Sequence, residues 1–221
     1  MSWPKIVSGF SLTFALASCS TQQTPAADPA SQPGGPGASL ESRNQEAARA
    51  RLRAVIRDAS FLEHLPESAR ATTMTEPFSA RMVVLYLVDD RGAARDAQAS
   101  DLVASGVTRE ALRAVVEWNL STLLREPLSC MSHAVGEPAH HSYYESSRLL
   151  LDKQWADLAK AGTVVVAAPS NDTLFVACNP NPDTLQKLSV IVQNTYPHSP
   201  RPVSPSLLTW SPDGWRELPA H

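Results

Sequence analysis

The segment Met82-Val83-Val84-Leu85-Tyr86-Leu87-Val88, followed by Asp89-Asp90-Arg91-Gly92, decides the fold of this 221-residue chain. An unbroken run of apolar residues is typical of a strand that is covered on both faces. The acidic residues and the glycine behind it are typical of a turn. We therefore predict a strand over residues 82–88, in the middle of a sheet.

Helical patterns flank this strand. Residues 41–60 carry apolar residues at helical spacing, namely Leu52, Val55, Ile56 and Ala59. This spacing predicts an amphipathic N-terminal helix. After the strand, Thr108 is predicted to cap a helix that runs to about Arg125 and that places Asn119 on its apolar face.

The C-terminal half alternates between helices and hairpins. A helix is predicted over residues 145–161, with a break near Asp152, and another begins at Asn181 and Pro182. Strands are predicted at residues 163–168, 173–178, 207–210 and 215–218, in two hairpins. Two hairpins, one central strand and about four helices predict a single α+β domain with a mixed, partly antiparallel sheet.

The N-terminus has the pattern of a bacterial lipoprotein signal. Lys5 is followed by an apolar run, residues 6–17, that is too short to span a bilayer, and Leu16-Ala17-Ser18-Cys19 is a lipobox. We predict that residues 1–18 are a signal peptide and that Cys19 is lipidated, with palmitate as an acyl chain. A plain signal peptide cleaved near Ala17, or an uncleaved anchor, is the alternative.

A tether and a domain follow the predicted anchor. Residues 19–40 are rich in Pro, Gly, Ala and Ser, which predicts a disordered tether with an average span on the order of 25 Å. Residues 41–221 are predicted to form the single domain. Ser20 is the residue type found in lipoproteins sent to the outer membrane. We therefore predict a cell-envelope protein, on the outer membrane and facing the periplasm if the source is Gram-negative.

The charge balance limits the partners. The chain has 19 Lys and Arg residues and 22 Asp and Glu residues, and loss of the signal removes only Lys5, which leaves a net charge of about −4. A mildly acidic chain without a basic run is not expected to bind nucleic acid. The predicted membrane contact is the lipid anchor.

Cys130 and Cys178 remain as the cysteine pair of an oxidising compartment. Cys130 lies in a strand-like run over residues 128–135, and Cys178 ends a predicted strand, so a disulfide between neighbouring strands is one prediction. Two independent buried thiols are the other.

The order of several short motifs resembles the YtpQ family, a bacterial domain of unknown function, from about Pro77 to Leu218. These motifs are Tyr86-Leu87-Val88-Asp89, Asp101-Leu102, Gly106-Val107-Thr108, Asn119-Leu120, residues 144–151 (Tyr-Glu-Ser-Ser-Arg-Leu-Leu-Leu), Trp155, and residues 166–173 (Val-Ala-Ala-Pro-Ser-Asn-Asp-Thr). The resemblance implies one such domain, here in a lipoprotein context, and implies no activity because the family has none established.

Common catalytic and nucleotide-binding patterns are absent. The sequence has no G-x-S-x-G, H-E-x-x-H, C-x-x-C, Walker loop or G-x-G-x-x-G. We therefore predict no cofactor and favour a protein that is not an enzyme.

Several polar residues stand at positions where core packing would favour apolar residues, and together they form a candidate polar site. Its members are Asn119, Glu145, Ser147, Arg148, Ser170 and Asp172. If they converge, they would form a pocket for a carboxylate or sugar, with Glu145 or Asp172 as a base. The alternative is that each has a separate structural role, in an ion pair, a turn or a satisfied core amide.

Two further groups carry suitable residue types. Asp89 and Asp90 end the central strand, where sites in open sheets gather, although a turn explains them equally well. Metal ligation is a separate alternative, for which the ligands would come from Cys130, His133, His140 and His141.

The sequence thus favours a non-enzymatic, lipid-anchored envelope protein that binds an unknown small molecule or protein. The alternatives are an uncharacterised hydrolase built on the candidate polar site and a metal-binding module.

Overall fold

The computed structural model describes residues 39–90, 93–130 and 143–218, all within one compact unit. Within these ranges the chain forms two four-stranded sheets with helices packed on them, which confirms the predicted α+β class. The predicted signal peptide, Cys19 and residues 20–38 of the predicted tether lie outside the described residues.

The first sheet is built around the predicted central strand. β3 (Met82–Asp90) pairs with β1 (Leu52–Asp58) along one edge, and with β2 (Thr75–Pro77) and β4 (Ala93–Asp96) along the other. Its residues from Val84 to Val88 are all buried. The prediction of a strand covered on both faces is confirmed.

The predicted N-terminal helix over residues 41–60 is wrong in its second half. Helix α1 (Leu40–Arg49) begins after its cap Ser39, within the last two residues of the predicted tether, and ends before β1. The residues that we placed on a helical face, Leu52, Val55 and Ile56, lie in β1, where Leu52 pairs with Val88. A short apolar run with β-branched residues fits either period, and here pairing with the long strand β3 prevails over helical spacing.

The second sheet contains both predicted hairpins. β5 (Val164–Ser170) and β6 (Thr173–Cys178) form one, and β7 (Leu207–Ser211) and β8 (Gly214–Glu217) form the other, in the order β6-β5-β7-β8. Every strand pair of the described residues is antiparallel. The domain therefore has two antiparallel sheets where the sequence predicted one mixed sheet, because turn signals identify hairpins but not which hairpin pairs with the central strand.

The remaining helices cover these sheets. They are α2 (Glu67–Thr72), α3 (Ala99–Ser105), α4 (Arg109–Leu123), α5 (Asp152–Ala159) and α6 (Pro182–Thr195), with 3-10 helices at Ala59–His64, Glu145–Leu150 and Tyr196–His198. Thr108 caps α4 as predicted, because its hydroxyl accepts a hydrogen bond from the Ala111 amide. The predicted break near Asp152 is at Leu151. No helix of the described part of the chain is long and apolar enough to cross a membrane.

Two segments join the sheets at the free edge of β1. Residues 201–204 run beside the end of β5, where Val203 donates to the Pro169 carbonyl, and the Asp58 amide of β1 donates to the Pro202 carbonyl. The 3-10 helix Glu145–Leu150, which we call the bridging helix, contacts β1 through Ser147 and the β5–β6 turn through Ser146. One core cluster consequently includes residues of both sheets.

Candidate functional site

Asn119 is a structural residue that holds the α1–β1 turn. Its side-chain amide donates to the carbonyls of Arg49 and Leu52, at 2.9 and 3.0 Å. These two bonds use both hydrogens of the amide. The hydrogen-bond partners that we expected for an amide on the apolar face of α4 are therefore two backbone carbonyls.

Glu145 and Arg148 form a buried ion pair, which we call the capped pair. The Arg148 Nε lies 2.8 Å from Glu145 Oε2, and the two side chains are 6% and 1% exposed. The Arg148 Nη1 also donates to the carbonyls of Leu124 and Glu126, which follow the last turn of α4. Carbonyls at a helix C-terminus lack partners within the helix, and a cation there satisfies them.

Ser147 and the pair Ser170–Asp172 also have local roles. The Ser147 hydroxyl donates to the Ala54 carbonyl at 2.8 Å and so covers the edge of β1. The Ser170 hydroxyl donates to Asp172 Oδ1 at 2.6 Å across the β5–β6 turn.

Among the described residues, Glu145 is the one member of the candidate polar site that Arg148 contacts through a hydrogen bond or an ion pair. We find no hydrogen bond or ion pair from Arg148 to Asn119, Ser170 or Asp172 within residues 39–90, 93–130 and 143–218. The hydrolase alternative gains no assembled site from these contacts.

The other groups singled out in the sequence have structural contacts or lie outside the described residues. Asp89 accepts a hydrogen bond from the Tyr144 hydroxyl at 2.8 Å, and Asp90 lies 3.6 Å from Arg51 at the surface. His133, His140 and His141 lie outside the described residues, so the metal-binding alternative stays a prediction. Among the residues that are described, no group of three or more His, Cys, Asp or Glu residues could hold a metal ion.

Cys130 and Cys178 form a disulfide, with their Cα atoms 5.4 Å apart. This distance lies in the ordinary range for the bond. Cys130 is in the loop after α4 rather than in a strand, and residues 131–135 of the predicted strand-like run lie outside the described part. The disulfide joins the loop after α4 to the end of β6. Arg148 contacts the same loop.

A second polar cluster, which the sequence did not indicate, lies where four segments of the chain meet. We call it the arginine junction; its residues are Arg57, Tyr143, Ser146, Asn171 and Arg201. The backbone N–H of Asn171 donates to the backbone carbonyl of Arg201, and the backbone N–H of Ser146 donates to the backbone carbonyl of Asn171. The bond from Asp58 to Pro202 brings the end of β1, and with it Arg57, to the same place.

Several buried polar atoms of the arginine junction have no hydrogen-bond partner among the residues that the structure describes. Asn171 is 1% exposed and Ser146 is fully buried. Neither Nδ2 nor Oδ1 of Asn171 has a partner, and the same holds for Oγ of Ser146 and Nε of Arg57. Buried polar groups are nearly always paired, because an unmade hydrogen bond leaves the loss of hydration uncompensated. Four such atoms on three neighbouring residues mark this place as unusual.

Two residues of the arginine junction, Arg57 and Arg201, carry a positive charge. The Arg57 guanidinium lies 4.5 Å from the centre of the Phe61 ring, and that of Arg201 lies 4.5 Å from the centre of the Tyr143 ring. Burial is the main cause that lowers the pKa of Arg57; the charge of Arg201 lowers it too, whereas Tyr143 and Asp96 act in the opposite direction. The two guanidinium groups thus stack on aromatic rings and lie close enough to repel each other.

The sequence contained only a faint signal for this cluster. Arg57 stands in an apolar run that we assigned to a helix, and Arg201 stands in a segment to which we assigned no element. Asn171 belongs to the YtpQ-like motif and stands between Ser170 and Asp172 of the candidate polar site, in the turn of the first predicted hairpin. Long-range backbone contacts bring these residues together, and no local pattern reports such contacts.

Two surface cavities lie elsewhere. One, of about 520 Å³, runs beside α6 and is lined by Pro182, Leu185, Gln186, Ser189, Val190 and Gln193. The other, of about 450 Å³, includes Thr73, Gln98 and Arg109. Neither contains a residue of the candidate polar site or of the arginine junction.

No protein-family model, curated protein or solved structure matches this chain. The resemblance to the YtpQ family therefore stays a prediction that rests on the quoted motifs.

Proposed function

We propose that this chain is a lipid-anchored protein of the cell envelope whose α+β domain binds a ligand at the arginine junction, without catalysing a reaction. The lipobox at residues 16–19 supports the anchor. The observation that carries the binding role is the convergence of two arginines with Asn171 and Ser146, whose buried side-chain atoms lack partners within the described part of the chain.

A bound molecule would supply the hydrogen-bond partners that these buried atoms lack within the described part of the protein. Leaving a buried donor or acceptor without a partner costs about 1–3 kcal/mol. A ligand or ordered solvent that pairs with these atoms would recover part of this cost, so occupation of the site should stabilise the fold.

The anchor is tested in the full chain by the substitution Cys19→Ala. We expect the wild-type protein to be processed, to be labelled by a palmitate analogue and to be found in the membrane fraction. The variant should be released or should accumulate as an uncleaved precursor. A mature, membrane-bound variant would contradict the anchor.

The binding role is tested by a thermal-shift screen of the full chain in detergent against neutral and charged small molecules. A ligand of the junction should raise the melting temperature of the wild type and of Asn119→Ala, but not that of Asn171→Ala. Asn119 is the matched control because its amide pairs with the backbone. If every hit stabilises all three proteins equally, the proposed binding site is wrong.

A further inference from the structure

The atoms without partners at the arginine junction define what a ligand would have to offer. Arg57 Nε and Asn171 Nδ2 are donors, Ser146 Oγ is a donor or an acceptor, and Asn171 Oδ1 is an acceptor. Donors predominate, so a complementary group is rich in acceptors. The Asn171 oxygen in addition needs one donor.

The charges at the arginine junction also favour a ligand that is rich in hydrogen-bond acceptors. Among the described residues, neither Arg57 nor Arg201 forms an ion pair. The nearby carboxylate of Asp96 accepts a hydrogen bond from Thr73 at 3.3 Å. An anion between the two arginines would reduce their repulsion, and the fork of N–H groups on a guanidinium fits a carboxylate or a phosphate.

We propose that the arginine junction binds a small oxyanion, a carboxylate or a phosphate, that carries a neighbouring hydroxyl or amide N–H group. The oxyanion accepts from Arg57, Arg201 and the Asn171 amide nitrogen, and the neighbouring group donates to Asn171 Oδ1. This inference rests on the proposed function and specifies the chemical class of its ligand.

The test measures dissociation constants of four probes by calorimetry on the full chain in detergent, at ionic strength held constant with chloride. The probes are lactate, acetate, lactamide and inorganic phosphate. Acetate lacks the hydroxyl of lactate and should bind about threefold to tenfold more weakly. Lactamide keeps the hydroxyl but has no charge, and should bind at least about tenfold more weakly than lactate. Whether lactate or phosphate binds more tightly distinguishes a carboxylate from a phosphate ligand.

Matched arginine variants place the binding at the junction. Arg57→Gln should weaken the binding of the best probe by about tenfold to one hundredfold, since it removes a charged donor. Arg53→Gln is the control: Arg53 lies on the same face of β1 and its Nε is likewise buried without a partner among the described residues, but its Nη1 donates to the carbonyls of Ala50 and Leu52. It should leave the dissociation constant within about twofold of wild type.

The outcomes separate this inference from the proposed function. If lactamide binds as tightly as lactate and Arg57→Gln or Asn171→Ala weakens both, the site exists but the oxyanion class is wrong. If no probe binds saturably, or if Arg57→Gln and Arg53→Gln behave alike, the inference is also overturned, and the proposed function then depends on the broader screen described above.

Discussion

The bridging helix contributes to two polar regions that differ in how completely their groups are paired. In the capped pair, Arg148 contacts a carboxylate and two backbone carbonyls. In the arginine junction, Arg57 contacts an aromatic ring, and its Nε has no partner in residues 39–90, 93–130 and 143–218. Buried arginines alone do not identify a site. The difference teaches that a fully paired buried arginine indicates structural support. Arg53 Nε and Trp210 Nε1 also lack partners among the described residues, so it is the grouping of such atoms on neighbouring residues, and not a single atom, that favours a binding place.

The largest expected effect on stability concerns the loop after α4, whose carbonyls accept hydrogen bonds from Arg148 of the capped pair. The Cys130–Cys178 disulfide ties this loop to β6 and closes a segment with a sequence separation of 48. A loop of this size stabilises the folded state by about 4 kcal/mol in the chain-entropy model. Reduction should therefore lower the melting temperature clearly. If thiol counting finds both cysteines reactive in non-reduced, unfolded protein, the bond is absent.

The next effect compares the two arginines directly. Arg148→Ala removes the bonds to the buried Glu145 carboxylate and to the carbonyls of Leu124 and Glu126, and should lower the free energy of unfolding by about 3 kcal/mol. Arg57→Ala loses mainly its contact with the Phe61 ring and should cost under about 1 kcal/mol. Urea denaturation of both variants measures the difference. Equal losses would remove the distinction between the two regions.

A smaller effect compares two asparagines. Asn119→Ala removes one exposed and one half-buried hydrogen bond to backbone carbonyls and should cost about 1 kcal/mol. Asn171→Ala removes an amide without partners and should change the stability of the ligand-free protein by less than about 0.5 kcal/mol. The same denaturation measurement tests both. A large loss for Asn171→Ala would show that its amide is paired in the folded protein, contrary to the structure.

The smallest effect concerns Asp58, the neighbour of Arg57 in β1. Burial alone would raise the pKa of Asp58, but hydrogen bonds from Ser60 and Tyr196 and the charge of Arg81 lower it below its ordinary value of 3.8. A lowered folded-state pKa adds stability that is fully present above pH 3.8 and is lost as the pH falls through the folded-state value.

Tyr196→Phe tests this contribution, because the Tyr196 hydroxyl donates to Asp58 Oδ2 at 2.7 Å. The variant should be less stable than wild type by about 1 kcal/mol at neutral pH. The difference should shrink below pH 3.8, when the carboxyl is protonated. A difference that does not change with pH would assign the effect to packing of the ring instead.

Local patterns predicted most of the secondary structure. The strand β3, both hairpins and the caps Thr108 and Asn181 agree with the structure because each depends on residues close together in sequence. The exception is β1. Its residues fit a helical and an extended period about equally, and the choice depended on a partner strand more than twenty positions away.

The sites were harder to predict than the elements. Glu145 and Arg148 pair as their spacing suggested, but the partners of Asn119 and Ser147 are backbone carbonyls of β1 or of the last residue of α1. Backbone groups have no sequence signature, so no pattern could identify these contacts. The same reason explains why the arginine junction was missed.

By itself, the sequence determined the α+β class, the central strand and the hairpins, because these follow from composition and from the spacing of neighbouring residues. The lipobox stays a prediction from the same kind of local pattern. Only the tertiary structure decided that two antiparallel sheets form, that β1 is a strand, and that Arg57, Ser146, Asn171 and Arg201 meet. Those outcomes depend on hydrogen bonds across the free edge of β1, between segments that are remote in sequence. Such contacts form only when the whole chain is packed, so no window of sequence records them.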